Sequence, residues 1–257
     1  MRSVSRITVI LICLMLFSTL ANAQVNQIYQ VSTINALLQG VYDGEETVKE
    51  LKQHGDFGIG TFDALDGEMI GLGGQFYQIK STGQVLPVNE KMKTPFATVM
   101  FFRPEQITEI SSVKDYDQLK KSLDAVINDQ NYFYAIRIDG LFTYVKTRSV
   151  PAQSKPYPTL AEVTKVQPTF EFQQTKGTVI GFWCPQYVNG INVPGYHLHF
   201  ISEDRQQGGH LLAAGIQSGK VQIARITGFH MILPSMDDFR HAALGKDYSK
   251  ELEAAEQ

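Results

Sequence analysis

Hydrophobic and polar positions alternate in short stretches through both halves of the chain. The stretches are rich in β-branched and aromatic residues, and pairs such as Asp66-Gly67 and Gly73-Gly74 separate them. This pattern predicts antiparallel strands joined by tight turns. The predicted strands cover residues 57–62, 68–72, 75–79, 96–102, 132–138, 141–148, 178–183, 196–201, 210–216, 220–226 and 229–233.

A spacing of three to four residues indicates a few short helices. Leu119, Leu123 and Ile127 fall on one face of a helix predicted over residues 116–127. Shorter helices are predicted at residues 34–39, with Ser32 or Thr33 as N-cap, and at 45–51, 237–244 and 248–256. The predicted fold class is α+β, with two related β-rich units of mainly antiparallel or mixed sheet and a few short helices.

A proline-rich segment divides the chain. Residues 151–168 contain four of the ten prolines and few large apolar residues, a composition typical of a linker. We therefore expect a β-rich N-terminal domain over residues 24–150, a connection over 151–168, and a C-terminal β domain with terminal helices over 169–257.

The two halves share a weak internal repeat. Residues 74–79 align with residues 195–200, so that Phe76 and Gln78 occupy the places of His197 and His199. A duplicated β-rich unit would produce this match, and so would chance similarity between two meanders punctuated by glycine.

The first residues have the pattern of a secretory signal peptide. Arg2 and Arg6 precede an apolar run over residues 7–20, and residues 21–23 (Ala-Asn-Ala) form a cleavage site. The run is short for a membrane span, so a retained anchor is the weaker alternative. We expect residues 1–23 to be removed and the mature protein to be exported, to the periplasm or the medium, without membrane attachment.

The composition argues against a nucleic-acid partner and against stabilisation by a disulfide bond. The 257-residue chain has 23 Lys and Arg against 26 Asp and Glu, so no basic surface for nucleic acid is expected. Removal of the signal peptide takes away Cys13 and leaves Cys184 alone. An exported chain with one cysteine has no internal disulfide, so its core or a bound metal must stabilise it.

Three of the six histidines fall within one short stretch. His197 and His199 are two residues apart on a predicted strand, so they point to the same face. A polar run over residues 202–207 and the following glycine pair predict a turn that brings His210 beside them. Three converging imidazoles are the typical protein ligands of a catalytic zinc site, in which the fourth coordination position stays open for water or substrate. Imidazole also binds copper, iron and nickel, so the spacing predicts the site more specifically than the metal.

The spacing of these histidines also has an ordinary explanation. A single histidine on a strand is more often structural or exposed than a metal ligand, whereas two alternate histidines with a third across a hairpin are rarer. Both explanations stay open on the spacing alone.

Five longer stretches carry a more specific signal. They lie at residues 28–33 (IYQVST), 55–62 (GDFGIGTF), 65–68 (LDGE), 134–142 (YAIRIDGLF) and 195–200 (GYHLHF). In these stretches, and over nearly the whole chain after the signal peptide, the sequence closely resembles the alpha-acetolactate decarboxylase family. The resemblance implies a zinc-dependent carboxy-lyase that converts 2-acetolactate to (R)-acetoin and carbon dioxide and works as a homodimer.

The resemblance also implies a set of site residues. Its metal ligands are His197, His199 and His210, and the groups that act on the substrate are Glu68, Arg148, Thr61 and Glu256. Glu253 lies one helical turn from Glu256 and is the alternative match for the C-terminal glutamate. Without the resemblance, Glu68 is typical of a solvated edge carboxylate, Arg148 of a surface charge and Thr61 of an ordinary strand residue.

These residue types suit the implied reaction. Loss of carbon dioxide from a 3-oxo acid that carries a neighbouring hydroxyl leaves an enediolate, whose charge needs an electron sink such as zinc. Arg148 can hold the substrate carboxylate, and Glu68 or the C-terminal glutamate can deliver the proton that sets the handedness of acetoin. Two alternatives are another exported three-histidine metal enzyme, either a hydrolase or an oxygenase, and a non-catalytic metal-binding protein.

Overall fold

A computed structural model of the protein describes residues 26–256. The predicted signal peptide, residues 1–23, lies outside this range. Within the described range, no helix combines the length and the apolar character that crossing a bilayer requires.

The described residues form many strands and a few short helices, so the predicted α+β class is confirmed. The strands are β1 (Gln27–Val31), β2 (Glu46–Thr47), β3 (Phe57–Thr61), β4 (Glu68–Leu72), β5 (Gln75–Ile79), β6 (Val85–Pro87), β7 (Lys93–Thr94), β8 (Ala97–Met100), β9 (Gln106–Val113), β10 (Phe133–Arg148), β11 (Thr169–Cys184), β12 (Gly195–Ser202), β13 (Gly208–Ile226) and β14 (Gly228–Ile232). The helices are α1 (Ile34–Leu38), α2 (Val48–His54), α3 (Tyr116–Asp124), α4 (Leu160–Val163), α5 (Asp237–His241) and α6 (Ser249–Glu256).

The first sheet has seven strands in the order β14-β1-β8-β3-β4-β5-β6. Strands β1 and β14 are parallel, and the other neighbours are antiparallel. Strand β14 comes from the C-terminal end of the chain, so this sheet pairs the two ends of the described chain directly.

The second sheet follows the order β10-β11-β12-β13-β9, and β10 also pairs with β13. Strands β10 to β13 therefore close into a ring, and β9 lies outside it at the edge. Strand β9 is absent from the sequence prediction, because most of its side chains are exposed on both faces and it lacks a buried alternating pattern.

The strand boundaries predicted at residues 139–140, as a turn, and at 217–219 are wrong. Residues 132–138 and 141–148 form the single strand β10, and residues 210–216 and 220–226 both belong to β13. The predicted turn at Asp139 continues the strand because Asp139 pairs with Thr178 on one side and Lys220 on the other. Local turn residues do not end a strand whose two edges are both hydrogen-bonded.

The capping residues define where the first two helices begin. Thr33 is the N-cap of α1, where its hydroxyl accepts a hydrogen bond of 3.2 Å from the Ala36 amide. Thr47 and Glu50 form a capping box, so α2 starts at Val48 and not at the predicted residue 45.

Apolar side chains fill two layers. Leu198 and Phe200 of β12 belong to the core inside the ring, together with Leu119 and Leu123 of α3. The alternate residues of β12 face the seven-stranded sheet, and Ile201 packs there in the layer between the two sheets. His197 and His199 have the same parity as Ile201, so the sheet pleat directs them into this interlayer.

The sheets do not separate at the predicted connection. Strands β9 and β10 precede residues 151–168 yet pair with strands that follow them, and β14 joins the first sheet. The connection itself contains α4, whose Leu160 and Val163 are buried. The division into domains over residues 24–150 and 169–257 stays a prediction.

Candidate metal centre

The three histidines lie where neighbouring strands meet. His197 and His199 are on β12, and His210 follows the predicted turn near the start of β13. In the strand register His199 is directly opposite His210, and His210 is directly opposite Arg148 at the end of β10. Directly paired residues point to the same face, so His199, His210 and Arg148 form one cross-strand row.

Two glycines allow the strands of this region to pack closely. Gly209 has a φ of +137°, and a Cβ there would lie 2.4 Å from the carbonyl oxygen of Arg148. A Cβ at Gly181 on β11 would lie 2.0 Å from the carbonyl oxygen of His197. A side chain at either position would push apart the strands that carry the histidines.

The three imidazoles are buried and converge. One ligand nitrogen from each of His197, His199 and His210 lies within 4.8 Å of the other two. Burial lowers the pKa of all three rings, and lowers it well below the ordinary value for His199 and His210. The neutral ring that burial favours is also the form that binds metal.

Two buried imidazole nitrogens lack a hydrogen-bond partner within the described part of the chain. Among residues 26–256, no hydrogen-bond partner exists for Nε2 of His199 or Nδ1 of His210, although both atoms are buried. Such orphaned atoms are uncommon in folded proteins. Three converging neutral imidazoles, two of them with an unsatisfied nitrogen, therefore fit a divalent metal ion.

A backbone carbonyl of the other sheet orients His199. Its Nδ1 lies 3.0 Å from the carbonyl oxygen of Met69 on β4. A proton on Nδ1 donates to that oxygen and leaves Nε2 available as a ligand, which is the usual outer contact of a metal-binding histidine. This role of Met69 could not be predicted from the sequence, because a backbone carbonyl has no side-chain signature.

Glu68 and Arg148 form a buried ion pair beside the histidines. Nη1 of Arg148 donates to Oε1 of Glu68 at 3.0 Å, and Oε2 of Glu68 lies 3.6 Å from Nε2 of His199. The two side chains are 5% and 8% exposed, so neither is the surface charge that its local sequence suggests. Burial raises the pKa of Glu68 to about 7, against the lowering effect of Arg148.

Thr61 lies next to this ion pair. It is directly opposite Glu68 in the pairing of β3 with β4, and its side chain is buried. The Thr61 hydroxyl donates to the carbonyl oxygen of Gly67 at 2.7 Å. The hydroxyl oxygen can still accept a hydrogen bond, and Thr61 lines the cavity described below.

The C-terminal helix α6 adds a second carboxylate. Oε2 of Glu256 lies 3.9 Å from Nε2 of His197 and 3.7 Å from Nε2 of His210. Glu253 lies on the exposed face of α6. Of the two glutamates that could match the C-terminal glutamate of the family, Glu256 is therefore the one beside the histidines.

Apolar side chains form the rest of the cavity. A small cavity lies beside the histidines, and its polar lining comes from Thr61, Glu68, Arg148, His197, His210 and Glu256. Its apolar wall comes from α1, the loop after β3, α4 and nearby residues, namely Ile34, Leu37, Leu65, Phe96, Val150 and Leu160. None of these six residues is predicted for the site from the sequence, because each has the local pattern of an ordinary core residue.

Known proteins resemble this chain over most of its length. The family model described as alpha-acetolactate decarboxylase matches residues 28–246. The chain belongs to the alpha-acetolactate decarboxylase family. An alpha-acetolactate decarboxylase of Methanosarcina mazei is 47% identical over 238 residues, which cover 93% of this chain and 83% of that protein.

Two members of the alpha-acetolactate decarboxylase family extend the comparison. The Bacillus subtilis relative is 44% identical over 90% of this chain and 91% of its own length. A crystal structure of the alpha-acetolactate decarboxylase from Bacillus subtilis strain 168 superimposes with a TM-score of 0.87, covering 90% of this chain and 99% of that one.

The structure brings together every residue that the resemblance to alpha-acetolactate decarboxylases implied for the site. The histidines, Glu68, Arg148, Thr61 and Glu256 surround one cavity or border it. Glu256 lies beyond residue 246, where the family match ends. The local sequence alone identified the histidines, whereas Glu68, Arg148 and Thr61 needed the family resemblance.

Proposed function

We propose that this protein decarboxylates 2-acetolactate to (R)-acetoin and carbon dioxide, with one zinc ion held by His197, His199 and His210. The observation that carries the proposal is the convergence of three buried imidazoles with Glu68, Glu256 and Arg148 in one cavity, in a chain of the alpha-acetolactate decarboxylase family.

Zinc is the metal that the donor set favours. Three neutral imidazoles leave room for further ligands, which is the arrangement of catalytic zinc sites and not of closed structural ones. A zinc ion bound there would act as a Lewis acid toward the hydroxyl and carbonyl oxygens of the substrate. Among the described residues, the histidine nitrogens without hydrogen-bond partners support this assignment.

Arg148 supplies the charge that orients the substrate carboxylate. Its guanidinium has five N–H donors in a plane, and the contacts to Glu68 and to the Ala255 carbonyl leave others available. Holding the carboxylate in one direction aligns the bond that breaks with the carbonyl that receives the electron pair. The products of that step are carbon dioxide and an enediolate.

Glu68 and Glu256 are the two carboxyl groups that can protonate the enediolate. Glu68 lies beside His199, and Glu256 lies beside His197 and His210. Delivery of a proton to one carbon from a fixed direction forms a C–H bond of one handedness and gives acetoin. The two carboxylates reach the histidines from different elements, Glu68 from β4 and Glu256 from α6.

The cavity wall suits a small, branched substrate. Leu65, Phe96 and Leu160 are apolar and buried around the polar groups, so they can contact the methyl groups of acetolactate. They also keep water from the site, which strengthens the electrostatic contacts of Arg148 and the carboxylates.

The proposal extends to where the protein works and in what assembly. We propose that cleavage after Ala23 releases a mature protein into the periplasm or the medium, because residues 1–23 have the composition of a secretory signal. We also propose a homodimer, which rests on the family resemblance.

The test is acetoin formation from racemic acetolactate by the purified mature protein, measured against spontaneous decay of the substrate. We expect rapid, stereoselective formation of acetoin that chelation abolishes and added zinc restores. A protein that binds metal but leaves the decay unchanged would be a metal-binding protein and not this enzyme. Turnover of esters or oxidation by dioxygen in the same preparation, without acetoin, would indicate the hydrolase or the oxygenase.

A further inference from the structure

Side-chain hydrogen bonds hold residues 235–249, the segment that leads to helix α6, against the rest of the protein. The Glu45 carboxylate accepts hydrogen bonds of 2.7 Å from the amide and the hydroxyl of Ser235. The Asn35 side chain donates to the carbonyl of Leu244 at 3.1 Å, and the Asn189 side chain donates to the Ser249 hydroxyl at 3.0 Å. These contacts hold the segment up to the first residue of α6.

Beyond Ser249, the contacts of helix α6 include a small apolar cluster and the Arg148 guanidinium. Leu252 and Ala255 are buried in a cluster with residues of α1 and α4. Nη2 of Arg148 donates to the carbonyl oxygen of Ala255 at 2.9 Å. That carbonyl belongs to the last turn, where no later helical amide can satisfy it and where the helix dipole favours a positive charge.

We propose that Arg148 is the positioning residue of Glu256. The Arg148 guanidinium caps the C-terminal end of α6 and thereby fixes the carboxylate of the next residue beside His197 and His210. Without this cap, the last turn of the eight-residue helix loses a charge-assisted hydrogen bond, and a short helix is marginally stable by itself. The role assigned to Glu256 rests on the proposed function, whereas the contact between Arg148 and the helix does not.

The N–H groups of Arg148 differ in their hydrogen-bond partners. Nη1 contacts Glu68, Nη2 contacts the Ala255 carbonyl, and Nε is buried without a partner among residues 26–256. A substrate carboxylate can therefore engage Nε–H while the helix stays capped. One arginine then binds the substrate and holds an acid–base group in place, a combination that a lysine ammonium cannot reproduce because it lacks the planar fork.

The direct test is hydrogen exchange of the α6 amides in the chelated protein, without turnover. In Arg148→Gln and Arg148→Lys we expect exchange at residues 252–256 to accelerate by about tenfold or more, the effect of losing a charge-assisted hydrogen bond. Exchange in β1 and β8 should not change. Arg137→Gln is the control, because Arg137 pairs with Asp139 on β10 away from the helix. Exchange at α6 that matches the unaltered protein would overturn the proposal.

A second variant covers the case in which Arg148 variants do not fold. Leu252→Ala keeps Arg148 and every polar group of the site but removes the main apolar anchor of α6. We expect faster exchange at α6, a kcat reduced by about tenfold, and a KM within about twofold, because the carboxylate-binding arginine is unchanged. Leu233→Ala, an exposed leucine earlier in the C-terminal segment, is the matched control.

The kinetic outcomes separate this inference from the proposed function. A Leu252→Ala protein with a mobile α6 and full kcat would show that helix position does not matter, which contradicts the inference. If the unaltered protein forms no acetoin, the proposed function fails, and the exchange experiment still decides whether Arg148 holds the helix.

Discussion

Nη1 of Arg148 lies 3.0 Å from Oε1 of Glu68, and this contact joins the two sheets. Arg148 ends β10 of the ring, whereas Glu68 begins β4 of the seven-stranded sheet. Both groups are buried, so each provides the opposite charge that replaces contact with water for the other. The ion pair therefore links the packing of the two sheets to the polar groups around the histidines.

Glu68→Gln should lower both turnover and stability. The amide cannot deliver a proton, and general acid–base catalysis contributes about 10²–10⁴ in rate. Arg148 would also lose its buried charge partner, which should lower the free energy of unfolding by about 2 kcal/mol. Glu90→Gln, which removes the charge of an exposed pair with Lys52, should change neither. Steady-state kinetics measures the turnover, and urea unfolding measures the stability. Full turnover in Glu68→Gln would exclude Glu68 as the acid.

Arg148→Lys should reduce kcat/KM by about tenfold or more, although the charge is kept. Lysine offers one ammonium in place of a planar fork, so it cannot contact Glu68, the Ala255 carbonyl and a substrate carboxylate together. Arg137→Lys tests the same change at a partly exposed pair with Asp139 and should be nearly neutral. An unchanged specificity constant for Arg148→Lys would remove Arg148 from the site.

Glu256→Gln should lose most turnover, whereas Glu253→Gln should be mild. The Glu256 carboxylate lies 3.7 Å from His210, whereas Glu253 is on the exposed face of the same helix. Deletion from Leu252 onward should cause the same loss while the fold and the metal are kept. A truncated protein that forms acetoin at the full rate and with unchanged handedness would show that neither glutamate acts.

Thr61→Val should destabilise the protein by about 1–3 kcal/mol and reduce kcat/KM. Valine fills the same space but leaves the buried Gly67 carbonyl without the hydroxyl that now donates to it. Thr61→Ser keeps the hydroxyl and should restore both properties in large part. Equal stability and activity for the valine and serine variants would contradict a role for the hydroxyl.

The sequence predicts the strands of the site better than its polar surroundings. The alternation of His197, Leu198 and His199 and the following turn correctly predicted the hairpin, because both features are local. The burial of Arg148 could not be predicted locally, since it depends on Glu68 from one sheet and on a helix more than one hundred residues later.

Two segments have a local composition that differs from their surroundings in the fold. Asp139-Gly140 has the composition of a turn, but strands on both sides hold it extended. The proline-rich residues 151–168 have the composition of a linker, yet Leu160 packs against the site. In both places, pairing or packing with distant residues overrides the local preference.

The central claim, that the histidine centre performs the decarboxylation, is tested most directly by titrating zinc into the chelated mature protein while acetoin formation is followed. We predict no activity before addition, a linear rise that ends at about one zinc per chain, and no recovery in His197→Ala. His54→Ala, which alters a histidine stacked on Tyr29 away from the centre, should recover fully. Full activity in the metal-free protein, or recovery in His197→Ala equal to that of the unaltered protein, would contradict the account.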